Sequence, residues 1–142
     1  MATMKECILG QASTMETVAQ RMPVEVKNAI THVGTGFEKV YMVGSGTSLN
    51  AATTARYAFE RYNTVEVRTV TPFDFLHYFP HQRLDNKTLV LGISQTARSI
   101  GTIEAVKLAK SRGARTLFVT AEPENPGANS GDCIFNTWTG HE

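Results

Sequence analysis

Leu89-Val90-Leu91-Gly92-Ile93-Ser94-Gln95-Thr96-Ala97-Arg98-Ser99 is the stretch that decides how this chain folds. Its apolar first half predicts a strand covered on both faces, and the hydroxyl residues behind it predict a turn that opens a helix. A second stretch has the same design: Lys39-Val40-Tyr41-Met42-Val43 runs into Gly44-Ser45-Gly46-Thr47-Ser48. A strand that passes into a helix through small hydroxyl residues presents unpaired backbone N–H groups at a positive dipole end, which is an anion site. Two such turns on neighbouring parallel strands face one crevice, where open α/β sheets bind ligands. The pair therefore predicts a pocket for a small phosphorylated molecule.

Working outward from these turns, strands and helices alternate. Strands are expected over 39–43, 64–70, 88–93, 115–120 and 133–138. A helix over 49–62 buries Leu49, Ala52, Ala55, Phe59 and Tyr62; one over 99–112 lays Ile100, Ile103, Val106 and Ala109 along one flank, with Gly113 as its cap. Thr71 to Tyr78 forms a short helical segment that ends near Pro80. The alternation predicts a parallel, doubly wound sheet. Ahead of it, residues 4–33 read as helical. Ser13-Thr14-Met15-Glu16 fits a capping box, Met15, Val18 and Met22 follow at helical spacing, Pro23 breaks or restarts the helix, and Val26, Ile30 and Val33 supply a second stripe. Residues 1–36 thus form a helical arm and 37–142 the domain. A fifth strand in such a sheet is normally followed by a covering helix, yet Glu142 stands four residues after Trp138, so the expectation is that this helix is missing.

Bulk properties narrow the classes. The 142 residues suit one domain, 42% hydrophobic and 19% charged, with a net charge of +1 that gives no reason to expect nucleic acid or an anionic membrane as partner. No apolar run is long enough to span a bilayer, and the amino terminus has no secretory pattern. Cys7 and Cys133 stand isolated, without metal-ligand spacing, and are expected to be partly buried thiols in a reducing cytoplasm. No metal or cofactor is implied.

Gly44-Ser45-Gly46-Thr47-Ser48-Leu49 is a poor dinucleotide fingerprint, because Leu49 replaces the third glycine and no acidic residue closes the second strand. No Gly-Lys-Ser/Thr follows a glycine-rich turn, which excludes a Walker A loop. The remaining chemistry is phosphate and sugar recognition. Ser94, Thr96 and Ser99 with the amides of residues 95 to 99 can ring a dianion, and the Gln95 amide can donate to a phosphate or a sugar hydroxyl. Ser48 either caps its helix or also reaches a sugar or phosphate oxygen. Arg98 is either a phosphate ligand or a solvated surface charge. For acid–base work the candidates are Asp74, His77, His81, His141 and Glu142; Asp74 reads better as a helix cap, and His77 and His81 as loop or partly buried histidines.

The two turns together resemble the sugar isomerase (SIS) domain family, in particular the isomerase half of glucosamine-fructose-6-phosphate aminotransferase and related phosphosugar deaminases, isomerases and deglycases. The resemblance extends to Met4-Lys5-Glu6 through Arg21, Ala55-Arg56-Tyr57, Asp74-Phe75-Leu76-His77-Tyr78, Thr102 to Gly113, and Thr139-Gly140-His141-Glu142. One departure stands in the second turn, where Ala97-Arg98 replaces the usual Gly-Glu. The resemblance implies a flavodoxin-like sheet of order 2-1-3-4-5. It implies phosphate contacts at Ser94, Gln95, Thr96 and Ser99, with Gly46, Thr47 and Ser48 at the sugar end. It further implies two such domains in tandem, homodimers or larger homo-oligomers, and acid–base residues in a second domain and tail, so that this chain alone binds without turnover. The other readings are a phosphosugar-sensing SIS module of a regulator and a flavin or dinucleotide carrier on a similar sheet.

Overall fold

The computed structural model describes residues 3–140. In chain order it contains α1 (Met4–Val33), β1 (Lys39–Gly44), α2 (Thr47–Tyr62), β2 (Glu66–Val70), α3 (Pro72–His77), β3 (Thr88–Ile93), α4 (Ile100–Ser111), β4 (Arg115–Thr120) and β5 (Cys133–Asn136), with 3-10 turns at His81–Arg83 and Pro126–Ser130. The five strands form one parallel sheet in the order β2-β1-β3-β4-β5, the flavodoxin-like arrangement. The central strands are apolar on both sides because both sides are covered. Val40, Met42, Leu89, Leu91 and Leu117 pack with Ala29 and Val33 of α1 and Ala52 of α2. On the opposite side Tyr41, Val43 and Val90 pack with Phe75 of α3 and Ala105 and Ala109 of α4. Gly92 lets α4 come close to β3: a Cβ there would overlap the Val106 side chain and lie 3.3 Å from Thr102 Cγ2.

The arm is one uninterrupted helix of 30 residues, about 45 Å long. Its capping box sits at Thr3 and Glu6, where the Glu6 amide donates to Thr3 Oγ1 at 3.3 Å and the Thr3 amide to Glu6 Oε2 at 2.7 Å. Ser13 lies inside the helix instead and donates to the Gly10 carbonyl at 2.9 Å. Pro23 does not break it: Ala19, whose carbonyl loses its donor, is exposed, so water can serve that oxygen. The sheet is met by Ala29 and Val33, while Val26, Ile30 and Met15 stay exposed. Other expectations fail at the edges of helices. Ala55 and Tyr62 (78% exposed) point away from the sheet, leaving Ala52 as the buried anchor of α2, and Ile100 is 72% exposed because α4 buries Thr102, Ala105, Val106 and Ala109. Strands β2 and β5 are shorter than expected, and Trp138 leaves β5 with φ 56. Among the described residues no helix is long and apolar enough to cross a membrane.

Candidate anion and sugar site

Strands β1 and β3 are neighbours, and their last residues, Gly44 and Ile93, are register partners. The chain leaves β1 toward the α1/α2 face and leaves β3 toward the α3/α4 face. The two hydroxyl-rich turns therefore start side by side and diverge, which opens a crevice at the carboxyl edge with a helix amino terminus on each side.

The turn after β3 is fixed from below. Ser94 N–H donates to the Val119 carbonyl at 3.0 Å and Ala97 N–H to the Ser94 carbonyl at 3.2 Å. The Gln95 carbonyl accepts from Ala121 N–H at 3.0 Å and from Thr120 Oγ1 at 2.9 Å. Ala97 has φ 51, a left-handed conformation, and its methyl is fully buried against Val106, Phe118 and Ala128. Under it lies Gly127, where any Cβ would collide with the Ala97 carbonyl oxygen. The Ser94 and Gln95 carbonyls are thus engaged while several donors of the turn remain open. Among the described residues no backbone carbonyl accepts from the amides of Gln95, Thr96, Arg98 or Ser99, and the hydroxyls of Ser94 and Thr96 have no partner. Ser99 is the N-cap of α4 but takes no amide onto its hydroxyl, which accepts instead from Thr102 Oγ1 at 3.0 Å.

The turn after β1 is looser. Gly46, with φ 56, is the N-cap of α2 and supplies no side-chain bond. Ser48 is not the cap: it lies inside the first turn, its amide donating to the Ser45 carbonyl at 3.2 Å. The Thr47 and Ser48 hydroxyls have no partner among the described residues.

A cleft of about 890 Å³ runs from this turn toward α1, lined among others by Thr47, Ser48, Gln95, Thr120, Thr139 and, from α1, Glu6. It brings Thr47, Ser48 and Gln95 together; Gly46, Ser94, Thr96 and Ser99 are not among its walls. Gln95 is already engaged, since its Nε2 donates to the Gly140 carbonyl at 3.1 Å and Thr139 Oγ1 at 3.4 Å. Arg98, 70% exposed at its side chain, pairs at 3.3 Å with Glu122, which is 14% exposed. It is therefore a surface cation with a protein partner beside the loop. Glu6 brings a carboxylate to the cleft, held below its ordinary pKa by the backbone N–H and hydroxyl of Thr3. That contribution of the arm was missed in the sequence reading, although Thr3 and Glu6 have the spacing of a capping box.

The titratable candidates lie elsewhere. Asp74 does not cap α3: Thr71 does, accepting from the Asp74 amide at 3.1 Å and donating its hydroxyl to Asp74 Oδ2 at 2.8 Å. His77 is exposed against Phe73, and His81 Nε2 bonds to the Phe75 carbonyl. None of the three lines the cleft. His141 and Glu142 lie outside the described residues. Cys7 is exposed rather than partly buried and faces the cleft, whereas Cys133 is half-buried, with burial pushing its thiol pKa up. Among the described residues no three His, Cys, Asp or Glu side chains cluster as a metal site. The arrangement offers amides, hydroxyls and helix termini, which is equipment for holding an anion and a polyol.

Three comparisons place this geometry among known proteins. Fructoselysine 6-phosphate deglycase from Escherichia coli is 27% identical over 121 residues, covering 77% of this chain and 35% of that protein. The isomerizing glutamine–fructose-6-phosphate aminotransferase of Symbiobacterium thermophilum is 34% identical over 104 residues, covering 73% of this chain and 17% of that protein. The chain thus spans well under half the length of these curated relatives. In structure, the C-terminal domain of glucosamine-fructose-6-phosphate aminotransferase from Francisella tularensis superposes with a TM-score of 0.81 over 98% of this chain and 40% of that one; at 23% identity this speaks to the fold alone. A family model described as SIS domain matches residues 37–142. The chain belongs to the SIS domain family.

Proposed function

We propose that this SIS domain binds a sugar 6-phosphate, with the phosphate on the Ser94–Ser99 turn and the sugar toward Gly46, Thr47 and Ser48. Residues 37–142 are the binding domain and 1–36 the arm in this reading, and α1 walls one side of the cleft through residues between Glu6 and Met15. The observation that carries it is the supply of uncommitted donors. The amides of Gln95, Thr96, Arg98 and Ser99 and the hydroxyls of Ser94 and Thr96 meet at the amino terminus of α4, in a turn held in place through the carbonyls of Ser94, Gln95 and Ser99. A dianion satisfies such donors at little reorganisation cost, because the turn is fixed beforehand.

The chemistry available supports binding rather than turnover by this domain. Aldose–ketose interconversion or deglycation needs a base within hydrogen-bond reach of the sugar carbons. Among the described residues that line the cleft Glu6 is the one acid or base side chain, apart from the thiol of Cys7, and it is tied to Thr3. The domain serves as the phosphosugar-holding half of an enzyme of the aminotransferase, isomerase or deglycase kind.

Titration calorimetry with glucosamine 6-phosphate and fructose 6-phosphate tests the reading. Wild-type protein is expected to give saturable heats with at least one of them, and the double variant Ser94→Ala, Thr96→Ala to lose most of that affinity. Equal heats from both proteins would end the idea.

A further inference from the structure

The Gln95 side chain is oriented by a backbone partner. Its Nε2 lies 3.1 Å from the Gly140 carbonyl oxygen. A backbone carbonyl only accepts, so this contact fixes which end of the carboxamide is nitrogen. The Oε1 end has no partner among the described residues, and Gln95 lines the cleft beside Thr47 and Ser48.

The segment that fixes Gln95 is held in turn from the arm. Trp138 Nε1 donates to Glu25 Oε1 of α1 at 3.1 Å, and the Arg21 guanidinium sits 5.0 Å from the centre of the Trp138 ring. Trp138 keeps a left-handed backbone, φ 56, which a bulky residue rarely adopts. Its amide is secured by Asn136 Oδ1 at 2.9 Å, and the amide of Thr137 by the Thr120 carbonyl at 2.9 Å. Backbone strain of this kind persists where surrounding contacts over-determine it. A continuous path thus runs from Glu25 through Trp138 to Thr139 and Gly140, and from these to the Gln95 amide.

We propose that Gln95 is a specificity residue that meets the ligand with its carboxamide oxygen, and that Glu25 and Trp138 are positioning residues that keep it so. The proposal rests on the phosphosugar reading and refines it. Gln95 accepts a hydrogen bond from a sugar hydroxyl or ammonium instead of donating to the phosphate. Recognition of the sugar, but not of the phosphate, then depends on a contact made by the arm.

Calorimetry on the whole chain separates these parts, with glucosamine 6-phosphate and inorganic phosphate as probes. Trp138→Phe and Glu25→Ala are expected to weaken glucosamine 6-phosphate binding about fivefold, the worth of one neutral hydrogen bond, and to leave phosphate affinity unchanged. Glu25→Gln, whose side-chain oxygen still accepts the indole N–H, is expected to bind like wild type. Folding of the Glu25 variants is checked by the fluorescence of Trp138, the single tryptophan of the chain. Unchanged sugar-phosphate affinity in Glu25→Ala, or equal losses for both probes, would overturn the proposal while leaving the phosphosugar reading in place. Wild-type protein that binds neither probe would remove that reading and the proposal together.

Discussion

At the amino-terminal edge of the sheet Asp85 accepts from Thr88 Oγ1 at 2.7 Å and from the Lys87 amide at 3.0 Å, and Asp132 accepts from the Thr116 amide at 2.9 Å and its hydroxyl at 2.8 Å. At the carboxyl edge the hydroxyls of Thr47, Ser48, Ser94 and Thr96 have no partner among the described residues. The residue types are alike, and their use is opposite. Side chains at the first edge close the starts of β3 and β4 against Asp85 and Asp132; those at the second are left open to a ligand. Of the four hydroxyl residues at the second edge only Ser94 is buried and Thr47 is exposed; hydroxyls and amides left open at the carboxyl edge of a parallel sheet are available to a ligand, and the proposed function uses them so. Substitutions at the first edge should therefore cost stability without affinity, and those at the second affinity without stability.

The largest effect is expected where the two roles meet. Gly127 supports the turn after β3, and an added methyl would strike the Ala97 carbonyl and lie 2.7 Å from Ile103 Cδ1. Since the Ala97 backbone is also buried and left-handed, it has little room to retreat. Gly127→Ala is expected to cost about 3 kcal/mol by denaturant unfolding and to abolish sugar-phosphate binding. Retained affinity at wild-type stability would mean that the turn is not held from below.

Asp132→Ala comes next and should separate the edges. It strips the acceptor from the amide and hydroxyl of fully buried Thr116 and removes the 2.9 Å ion pair with Lys110. A loss of about 2 kcal/mol follows from leaving buried donors unpaired, with affinity unchanged. Ser48→Ala should do the reverse. Its hydroxyl caps nothing, and alanine suits a helix interior, so stability should hold within about 0.5 kcal/mol. Hexose 6-phosphate affinity should fall about fivefold. A clear drop in melting temperature for Ser48→Ala would show that its hydroxyl has a structural partner after all.

The same contrast explains which features were legible in the sequence. The fold was, because short uninterrupted apolar runs such as Leu89 to Ile93, ended by turn residues and alternating with helical stretches, read as strands covered on both faces. The two turns were legible too, since Ser and Thr at strand ends are chemistry with a fixed address. Capping was not, because several residues compete for each cap: Thr71 displaced Asp74, Gly46 displaced Ser48, and Thr3 displaced Ser13. The arm's place in the cleft was hidden for another reason. Glu6 and Glu25 come near the site only through tertiary packing, and no periodicity reports that. The departure Ala97-Arg98 gains a physical sense only in three dimensions. Ala97 keeps the left-handed turn that glycine would take freely, its methyl buried among Val106, Phe118 and Ala128, and Arg98 reaches Glu122.

The smallest expected effect is the pH dependence of the first edge. Burial pushes the Asp132 carboxyl up, but hydrogen bonds from Lys110 and Thr116 outweigh it and hold its pKa below the ordinary value. Asp85 is likewise lowered, chiefly by the Thr88 hydroxyl. A carboxyl whose folded pKa is depressed contributes stability that is fully present above its unfolded value, about 3.9, and lost as pH falls through the folded value. Stability should therefore be flat with respect to these two groups from pH 7 down to about pH 5 and decline below that. Asp132→Asn keeps a side-chain oxygen for Thr116 but cannot titrate, so its unfolding free energy should fall less steeply with acid than that of wild type. Parallel acid profiles for the two proteins would place the acid sensitivity elsewhere, and the division of labour between the edges would then rest on the substitutions alone.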